Sequence, residues 1–360
     1  MSEAASDRKL RVGVLGCGQI AQAAHFESCR KSRNAELFAI CDVSEELLGR
    51  MAATHAPKKS FRDYDAMLAD PEVEAVIIAT SDAFHVPATI RALEAGKDVL
   101  CEKPLGVSVE EVEELRKAVE ATGRFLQVGQ MKRFDPGIQS ARAFIDSEMG
   151  DLVALKAWYC DSTHRYRVTD AVQPLILRSA NARKPAEDPK SNLRRYYMLA
   201  HGSHLIDTAR FLAGDIVEVE ARLLERGGLR SWFVDVAFAS GAMGHLDLTV
   251  AVRMDWHEGF QVYGQHGSVL GKIFNPWLYK ASEVEIFRER DGAYHRTLGA
   301  DAHFYRRQLE AFVDTVMHGT PTGGADIADG IASVRAMVAI GQSIDTGRPV
   351  RPADVSGHVS

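Results

Sequence analysis

The sequence predicts an α/β protein whose N-terminal part forms a doubly wound parallel sheet and whose C-terminal part carries antiparallel strands. Short runs of β-favouring residues alternate with amphipathic helical patterns from Leu10 to about Gln130. This alternation is typical of a parallel sheet that helices cover on both faces. The second half instead alternates polar and apolar residues along strands that end at glycines, which is typical of antiparallel sheets.

The strands of the first half follow one another at regular intervals, each separated from the next by a helical pattern. In order, they are LRVGVLG, ELFAICD, EAVIIAT, DVLC and FLQVGQ. A chain of 360 residues suits two domains better than one core. We therefore predict a first domain over residues 1–130 and a second over 131–360.

The second half combines strands, a helix and a loop. VDVAFASGAMGHLDLTVAV and GFQVYGQHGSVLGKIF carry the antiparallel pattern. YYMLAHGSHLIDTARFLAGD predicts a helix with two histidines and an aspartate at every third position. SANARKPAEDPKSN, with its prolines and charges, predicts a loop or insertion that could cover a functional site.

Composition and charge exclude several classes of protein. Hydrophobic residues make up 46% and charged residues 26%, and no apolar run approaches the roughly 20 residues that span a bilayer. A net charge of −6 gives no reason to expect nucleic acid as a partner. The N-terminus lacks the apolar core of a secretory signal, and the five cysteines include no C-x-x-C pair. We expect a soluble, cytoplasmic protein with reduced thiols, a small-molecule substrate, no nucleic acid and no membrane.

The turn after the first strand carries GCGQIA, the pattern of a dinucleotide-binding loop. Gly16 and Gly18 follow the strand directly, and Ala21 takes the third small position. Small residues there permit a tight turn and let backbone N–H groups approach a pyrophosphate at the helix N-terminus. A strand before and a helix after are the context that such a site requires.

Asp42 ends the second predicted strand, 42 − 16 = 26 residues beyond the first glycine. An acid near this place accepts hydrogen bonds from the adenosine ribose hydroxyls. Its carboxylate would repel the 2′-phosphate of NADP, and the following VSEE supplies no arginine to neutralise one. NAD is therefore favoured as the cofactor. The alternative is that Asp42 is a solvated strand end or the cap of the next helix.

Several motifs, taken in order along the chain, resemble the Gfo/Idh/MocA family of sugar and inositol oxidoreductases. They are the GCGQIA loop, Thr80 at a strand end with His85 at the next helix start, Glu102-Lys103-Pro104, and His204 followed by Asp207. QMKRFDP and the C-terminal FYRRQLEAFVDTVMHGTP are also similar to family segments. The resemblance thus covers nearly the whole chain.

The resemblance implies a Rossmann domain followed by an α/β domain with an open, mostly antiparallel sheet, with NAD and substrate meeting at their junction. It also implies a cis bond between Lys103 and Pro104. We expect a homodimer or homotetramer, because an open sheet face tends to pair with another copy. The residues that the resemblance places at the cofactor are Gly16, Gly18, Gln19, Ile20, Asp42, Thr80, His85, Glu102 and Lys103.

The implied reaction is NAD-dependent oxidation of a secondary hydroxyl of a sugar, glycoside or cyclitol. Such a reaction needs a base whose pKa lies near the working pH, and histidine satisfies this. By resemblance, His204 is the acid and base, Lys103 orients or polarises the substrate hydroxyl, and Asp207 orients His204 or binds sugar. Ala200 stands where many sugar dehydrogenases of the family have an aspartate, and we expect His201 to take part of that role. The substrate contacts expected are Lys103, Arg165, Tyr197, His201 and His204.

Alternatives remain open at this site. His204 could be a structural histidine. His201, His204 and Asp207 could bind a metal, but a helix spreads the outer two by roughly 120° and no further ligand has a recognised spacing, so we expect no metal.

Two other functions use the same residues. One is a redox-neutral enzyme in which bound NAD transiently oxidises a glycoside so that it can be cleaved or epimerised. The other is a non-catalytic regulator that senses NAD or sugar.

Overall fold

The first half of the chain forms a parallel sheet in the structure, a computed structural model that describes residues 8–162, 174–299 and 302–360. The sheet has six strands in the described residues, in the order β3-β2-β1-β4-β5-β6. They are β1 Leu10–Leu15, β2 Ala35–Cys41, β3 Lys59–Phe61, β4 Ala75–Ile78, β5 Asp98–Glu102 and β6 Leu126–Gly129. The order reverses between β1 and β4, and doubly wound sheets bind ligands at the carboxyl ends of the strands there.

Helices connect these strands and cover both faces of the sheet. They are α1 Phe26–Lys31, α2 Glu45–His55, α3 Tyr64–Ala69, α4 His85–Glu94 and α5 Val109–Thr122. Side chains fix three of the helix starts, because Ser44, Asp63 and Ser108 accept hydrogen bonds from backbone N–H groups of the first turn. The predicted doubly wound α/β class is confirmed.

The second half forms a sheet of eight described strands in the order β14-β13-β12-β11-β7-β10-β9-β8. They are β7 Leu152–Ser162, β8 Ile216–Arg226, β9 Leu229–Phe238, β10 Met243–Val252, β11 His257–Gly264, β12 Gly267–Ile273, β13 Glu283–Arg288 and β14 Ala293–Arg296. The central pair β7–β10 is parallel and the other described pairs are antiparallel. The mostly antiparallel second sheet is therefore confirmed.

One face of the second sheet is buried under helices and the other is open. The α-helices in the described part of the second half are α6 Pro136–Ser147, α7 Leu193–Tyr197, α8 Ser203–Ala213, α9 Phe304–His318 and α10 Ile327–Thr346. Along β9, Trp232 and Val234 are buried while Phe233 and Asp235 are exposed. This alternation is that of an antiparallel sheet with a single packed face.

In the part of the chain that the structure describes, two helical segments contain a π-helical turn beside the carboxyl edge of the first sheet. Ala21–His25 is π-helical and runs directly into α1, and Met198–Gly202 is π-helical and joins α7 to α8. The helix predicted over YYMLAHGSHLIDTARFLAGD is therefore three segments and not one regular helix. π-helical turns inside α-helices occur frequently at functional sites.

Helix α9 returns to the first sheet, although it lies far along the chain. Its residues Leu309, Phe312 and Val313 are buried in the same cluster as Val12 and Val14 of β1. The boundary near residue 130 stays a prediction. The structure adds that a C-terminal helix completes the core beneath the N-terminal sheet.

Helix α10 is, among the described residues, the one helix long and apolar enough to cross a membrane by length and composition alone. Met337, Val338 and Ala339 near its middle are buried, and the helix packs on β8. Helix α10 therefore lies in the core of the second half.

Candidate active site

The glycine turn lies at the carboxyl end of β1 and opens into a cavity of about 580 Å³. Gly16 has φ +95°, and a Cβ there would come within 2.8 Å of the Ala79 carbonyl oxygen, so the turn requires glycine. Gly18 has no atom within 4 Å of an added Cβ and lines the cavity. The cavity is also lined by the predicted cofactor residues Gln19, Ile20, Asp42 and Thr80.

Asp42 links the glycine turn to the start of α2. One carboxylate oxygen accepts a hydrogen bond of 2.8 Å from the Cys17 N–H, and the other accepts one of 2.8 Å from the Ser44 N–H. The carboxylate lies at the cavity and at the helix start together. Arg62 also lines this cavity and pairs with Glu45 at 3.0 Å. The cavity therefore contains an arginine that the sequence next to Asp42 did not predict.

A segment from the second half closes one side of this cavity. We call residues 174–192 the covering loop. Gln22 donates to the Leu177 carbonyl at 2.9 Å and accepts from the Leu177 N–H at 2.9 Å. Ser44 donates to Ser179 at 2.8 Å. Further along the loop, Arg183 lines the cavity.

A second cavity of about 420 Å³ adjoins the first. The two share the lining residues Gln19, Ile20, Thr80, Ser81 and Trp277. The predicted residues His85, Glu102, Lys103, His201 and His204 line this second cavity. The structure thus brings the predicted catalytic lysine and both histidines to one place beside the glycine-turn cavity.

Lys103 follows β5 and reaches across to the π-helical turn of the second half. Its Nζ donates to the Ala200 carbonyl oxygen at 2.9 Å. The Lys103–Pro104 peptide bond is cis, as the resemblance implies. The backbone position whose side chain lacks the expected carboxylate therefore serves as a hydrogen-bond acceptor for the lysine.

A buried acid and histidine support Lys103 from below. Glu102 accepts a hydrogen bond from the Lys103 N–H at 3.1 Å, and its other oxygen lies 2.9 Å from Nε2 of His25 in the first π-helical turn. Burial alone would raise the pKa of Glu102, but the hydrogen bond and charge of His25, with the charge of Lys103, hold that pKa below its ordinary value.

His85 has both ring nitrogens beside backbone carbonyls. Nδ1 lies 2.7 Å from the Pro104 oxygen and Nε2 lies 3.1 Å from the Thr80 oxygen. The ring therefore ties the end of β4 to the turn that carries Lys103, next to the predicted cofactor residues.

His201 is held between a carboxylate and a phenol of β7. Its Nε2 lies 3.2 Å from Oδ2 of Asp161, and its Nδ1 lies 3.2 Å from the hydroxyl of Tyr159. Tyr159 lines the cavity, and its ring is parallel to that of His204, with centroids 6.2 Å apart. Asp161 thus supplies a carboxylate near the π-helical turn from a strand.

A buried ion pair lies behind Tyr159. Lys132, from the segment after β6, pairs with Glu258 of β11, and its Nζ is 4.5 Å from the Tyr159 ring centroid. Burial lowers the pKa of Lys132 and raises that of Glu258, each against the attraction of its partner.

Asp207 lies in an ion network and not in the cavity. Its carboxylate accepts hydrogen bonds of 2.7 to 3.2 Å from Arg133, which also binds Asp329 at 2.7 Å. Asp207 is not among the described residues that line the second cavity. The expectation that Asp207 binds sugar or orients His204 stays a prediction, and the structure adds that its carboxylate is bound by Arg133. The physical reason is burial, because a buried carboxylate needs a cationic partner and Arg133 provides it.

Two of the predicted substrate contacts, Tyr197 and Arg165, are not seen at the cavity in the described residues. Tyr197 stacks on His201, with centroids 5.8 Å apart, while its neighbour Tyr196 lines the cavity. Tyr196 therefore takes the position that was expected of Tyr197. Arg165 lies outside the described residues.

Sequence reasoning missed several residues of this site. Tyr159 and Asp161 are two apart on one strand, so their side chains share a face, but the strand itself gave no chemical signal. His25 lies at the end of an irregular helical turn that no pattern predicted. Among the described residues, no group of three His, Cys, Asp or Glu side chains is arranged to hold a metal ion. Other cavity residues that sequence reasoning missed include Met131, Trp256, Trp277 and Tyr305.

The residues present fit a nicotinamide dinucleotide. The open space at Gly18, the small residues of the turn and the carboxylate of Asp42 line a cavity at the switch point of the sheet. These are the features by which doubly wound folds hold a pyrophosphate and a ribose.

Comparison with known proteins agrees with this architecture. A family model described as an oxidoreductase family with an NAD-binding Rossmann fold matches residues 10–130. A GFO/IDH/MocA C-terminal domain matches residues 138–270. Inositol 2-dehydrogenase 2 from Saccharopolyspora erythraea is 31% identical over 94% of this chain and 94% of its own length.

Two solved structures share the fold. One is an oxidoreductase from Agrobacterium radiobacter in complex with NAD+, L-tartaric acid and magnesium, with 17% identity, a TM-score of 0.79, and coverage of 96% of this chain and 99% of that chain. The other is a putative myo-inositol dehydrogenase from Sinorhizobium meliloti 1021, with 24% identity, a TM-score of 0.75, and coverage of 95% and 99%. Because the family models together span most of the chain, and a relative matches it almost end to end, this chain belongs to the GFO/IDH/MocA family and is an NAD-dependent oxidoreductase.

Proposed function

We propose that this enzyme oxidises a secondary hydroxyl of a sugar, glycoside or cyclitol. The observation that carries the proposal is the convergence of Lys103 and His204 on one cavity that adjoins the glycine-turn cavity. The relative from Saccharopolyspora erythraea, named as an inositol 2-dehydrogenase, supports a cyclitol or related polyol as the substrate class. NAD+, when bound, accepts the hydride that leaves the substrate carbon.

Lys103 orients the substrate hydroxyl and stabilises negative charge on its oxygen. The hydrogen bond to the Ala200 carbonyl directs the lysine toward the second half of the chain. Glu102 fixes the backbone of Lys103 and is itself held by His25. A cationic group that is already in place when charge develops costs little reorganisation during the reaction.

His204 takes the proton of the substrate hydroxyl in oxidation and returns it in reduction. It is the second residue of α8, it is nearly buried, and it lines the cavity. Stacking against Tyr159 limits the rotation of its ring. An imidazole restrained in this way suits a general base at neutral pH.

The glycine-turn residues hold the cofactor in this proposal. Gly16, Gly18, Gln19 and Ile20 meet its pyrophosphate, and Asp42 meets the adenosine ribose. The remaining predicted contacts, at the end where the two cavities meet, are Thr80, His85, Glu102 and Lys103.

The test is a coupled binding and turnover experiment. Purified enzyme with NAD+ and a panel of inositols, sugars and glycosides should accumulate NADH, followed by absorbance near 340 nm. Lys103→Met and His204→Gln should each lower kcat about 100-fold or more while the affinity for NAD+ barely changes. Lys117→Met removes an exposed lysine of α5 and should have no effect. Full activity in both site variants would overturn the assigned roles.

The redox-neutral alternative has one structural observation in its favour. The covering loop is fastened at Gln22 and Ser44, beside the cavity where the cofactor would bind. A cofactor retained in this way could serve many cycles without leaving. Product formation from a glycoside without net NADH in the same assay would support this alternative. A regulator that only senses its ligands would bind NAD+ and a polyol and turn over none of the panel.

We also propose a homo-oligomer in the cytoplasm. The open face of the second sheet exposes Phe233, Met243 and Tyr263, which lie among charged residues. The five cysteines are free thiols, which suits a reducing compartment.

A further inference from the structure

A line of three side chains leads from the cavity into the second sheet. The Tyr159 hydroxyl is 3.2 Å from Nδ1 of His201, and Nε2 of His201 is 3.2 Å from Oδ2 of Asp161. Tyr159 and Asp161 stand on one face of β7, and His201 belongs to the π-helical turn. All three side chains are buried, and Tyr159 and His201 line the cavity.

The carboxylate decides which way the hydrogen bonds run. An ionised Asp161 can only accept, so Nε2 of His201 carries the hydrogen. The neutral ring then has its lone pair on Nδ1, and the Tyr159 hydroxyl donates to it. A phenol that donates its proton to an imidazole presents an oxygen with enhanced basicity to any hydroxyl in the cavity.

Both nitrogens of His201 thus face protein groups. The expectation was a direct contact between His201 and the substrate. Any influence of His201 on the reaction passes through Tyr159.

We propose that Tyr159 is a second proton acceptor for the substrate hydroxyl, with His201 and Asp161 as its positioning residues. This inference rests on the proposed function. On this second route, which is an alternative to transfer to His204, the O–H bond of the alcohol breaks and its proton goes to the Tyr159 oxygen, while the Tyr159 proton passes to Nδ1 of His201. The carbon loses its hydrogen with two electrons to NAD+, and the alcohol becomes a ketone. Asp161 stabilises the imidazolium that forms.

The surroundings of the relay contain several other charged and titratable groups. Lys132 lies over the Tyr159 ring and pairs with Glu258. His204 stacks on the Tyr159 ring, and Tyr197 stacks on His201. Lys103 reaches the adjacent Ala200 carbonyl. A cation over the phenol ring favours negative charge on its oxygen, which acts in the same direction as the relay.

Kinetics of single and double variants test the relay. Tyr159→Phe and Asp161→Asn should each lower kcat about 10- to 100-fold, with little change in KM or in NAD+ affinity. Because the residues act as one unit, the double variant should be no slower than the slower single variant. In Asp161→Asn, the apparent pKa on the acid side of the kcat profile should also change, and Asp161→Glu should restore part of the rate.

A matched control is available in the same domain. His295 of β14 and Asp291 of the turn before it form an exposed pair at 2.7 Å. Asp291→Asn removes a carboxylate from a histidine there and should leave kcat and its pH profile unchanged. Wild-type kcat in Tyr159→Phe, or additive losses in the double variant, would overturn the relay.

A measurement without turnover separates this inference from the proposed function. The imidazole signal of His201, assigned by its loss in His201→Gln, can be titrated by NMR. Its midpoint should fall by about 1 unit or more in Asp161→Asn, because the neighbouring carboxylate stabilises the cation. An unchanged midpoint would overturn the Asp161–His201 link whether or not a substrate is known. Absence of turnover with every polyol, together with a shifted midpoint, would instead count against the proposed function.

Discussion

Asp42 places a negative charge at the cavity where a ribose would bind, and we predict that this charge selects NAD over NADP. Asp42→Asn removes the charge and keeps one acceptor oxygen, so it can still accept from the Cys17 or the Ser44 N–H group but loses the second of the two bonds. With the repulsion gone, Arg62 in the cavity lining can attract a 2′-phosphate. The ratio of kcat/KM for NADP to that for NAD should rise about tenfold or more.

Two results would bear on that prediction. Asp146→Asn, on the exposed side of α6, should leave the ratio unchanged. Comparable kcat/KM values for both cofactors in the wild type would contradict the selection by Asp42.

Glu102 should make part of the stability of the fold depend on pH. Its pKa in the folded state lies below its ordinary value of 4.5. A depressed carboxyl pKa adds stability that is complete above the unfolded value and is lost as the pH falls through the folded value. At pH 7, Glu102→Gln should therefore unfold at a lower urea concentration than the wild type. The free energy of unfolding should be smaller by about 1–3 kcal/mol. The difference should shrink as the pH falls below 4.5.

The control for Glu102 is an exposed glutamate that pairs with an arginine one turn away on a helix. Glu120→Gln on α5 should change the midpoint little, since exposed pairs contribute little. A difference between Glu102→Gln and the wild type that stays constant from pH 7 to pH 3.5 would contradict the assignment.

At the residue scale, the sequence predicted those site residues that belong to recognisable motifs. Gly16, Lys103 and His204 follow from local patterns and from the resemblance, and they meet at the two cavities. Tyr159 and Asp161 were not predicted, because only the pairing of β7 with distant strands brings them to His201. The ion pair of Asp207 with Arg133 was not predicted, because residue spacing on a helix does not show which arginine of another segment lies opposite a carboxylate.

At the element scale, the strands of the first sheet were predicted where apolar runs of four or more residues mark them. The edge strand β3 escaped because its three residues carry no periodicity. The π-helical turns escaped because their extra residue per turn has no compositional signature. The loop predicted from SANARKPAEDPKSN does lie beside the glycine-turn cavity, because its Ala182 and Arg183 line that cavity and its first residue, Ser179, accepts a hydrogen bond from Ser44.

The covering loop should slow the release of the cofactor. Gln22 makes two hydrogen bonds with Leu177, and its side chain also donates to the Cys17 carbonyl at 2.8 Å. In Gln22→Ala we expect the NADH dissociation rate, measured by stopped-flow fluorescence, to rise about fivefold or more, since each lost bond is worth about 1 kcal/mol. Gln342→Ala, which removes a side-chain bond to Ser356 far from the cavity, should leave the rate unchanged. An unaltered rate in Gln22→Ala would show that the loop does not retain the cofactor.

At the scale of the whole molecule, the open face of the second sheet should be an interface between copies. Phe233 is 53% exposed and Met243 is 70% exposed, which is unusual for apolar residues on a regular sheet. Light scattering should give a mass of at least twice 39.6 kDa. Phe233→Glu should lower that mass, whereas Leu278→Glu, at an exposed turn outside the sheet, should not. A wild-type monomer at micromolar concentration would contradict the interface.

Helix α9 has a consequence for how the protein is made. The ribosome delivers the strands of the first sheet early, but Leu309, Phe312 and Val313, which pack with Val12 and Val14, come near the end of synthesis. Although N-terminal domains usually fold first, the underside of this sheet stays uncovered until most of the chain has left the ribosome. A fragment of residues 8–135 should therefore be poorly soluble, and adding residues 302–320 in trans should improve its recovery. A soluble, cooperatively folded fragment would show that the first sheet is stable without α9. A poorly soluble fragment would indicate that the nascent chain depends on chaperones until α9 is synthesised.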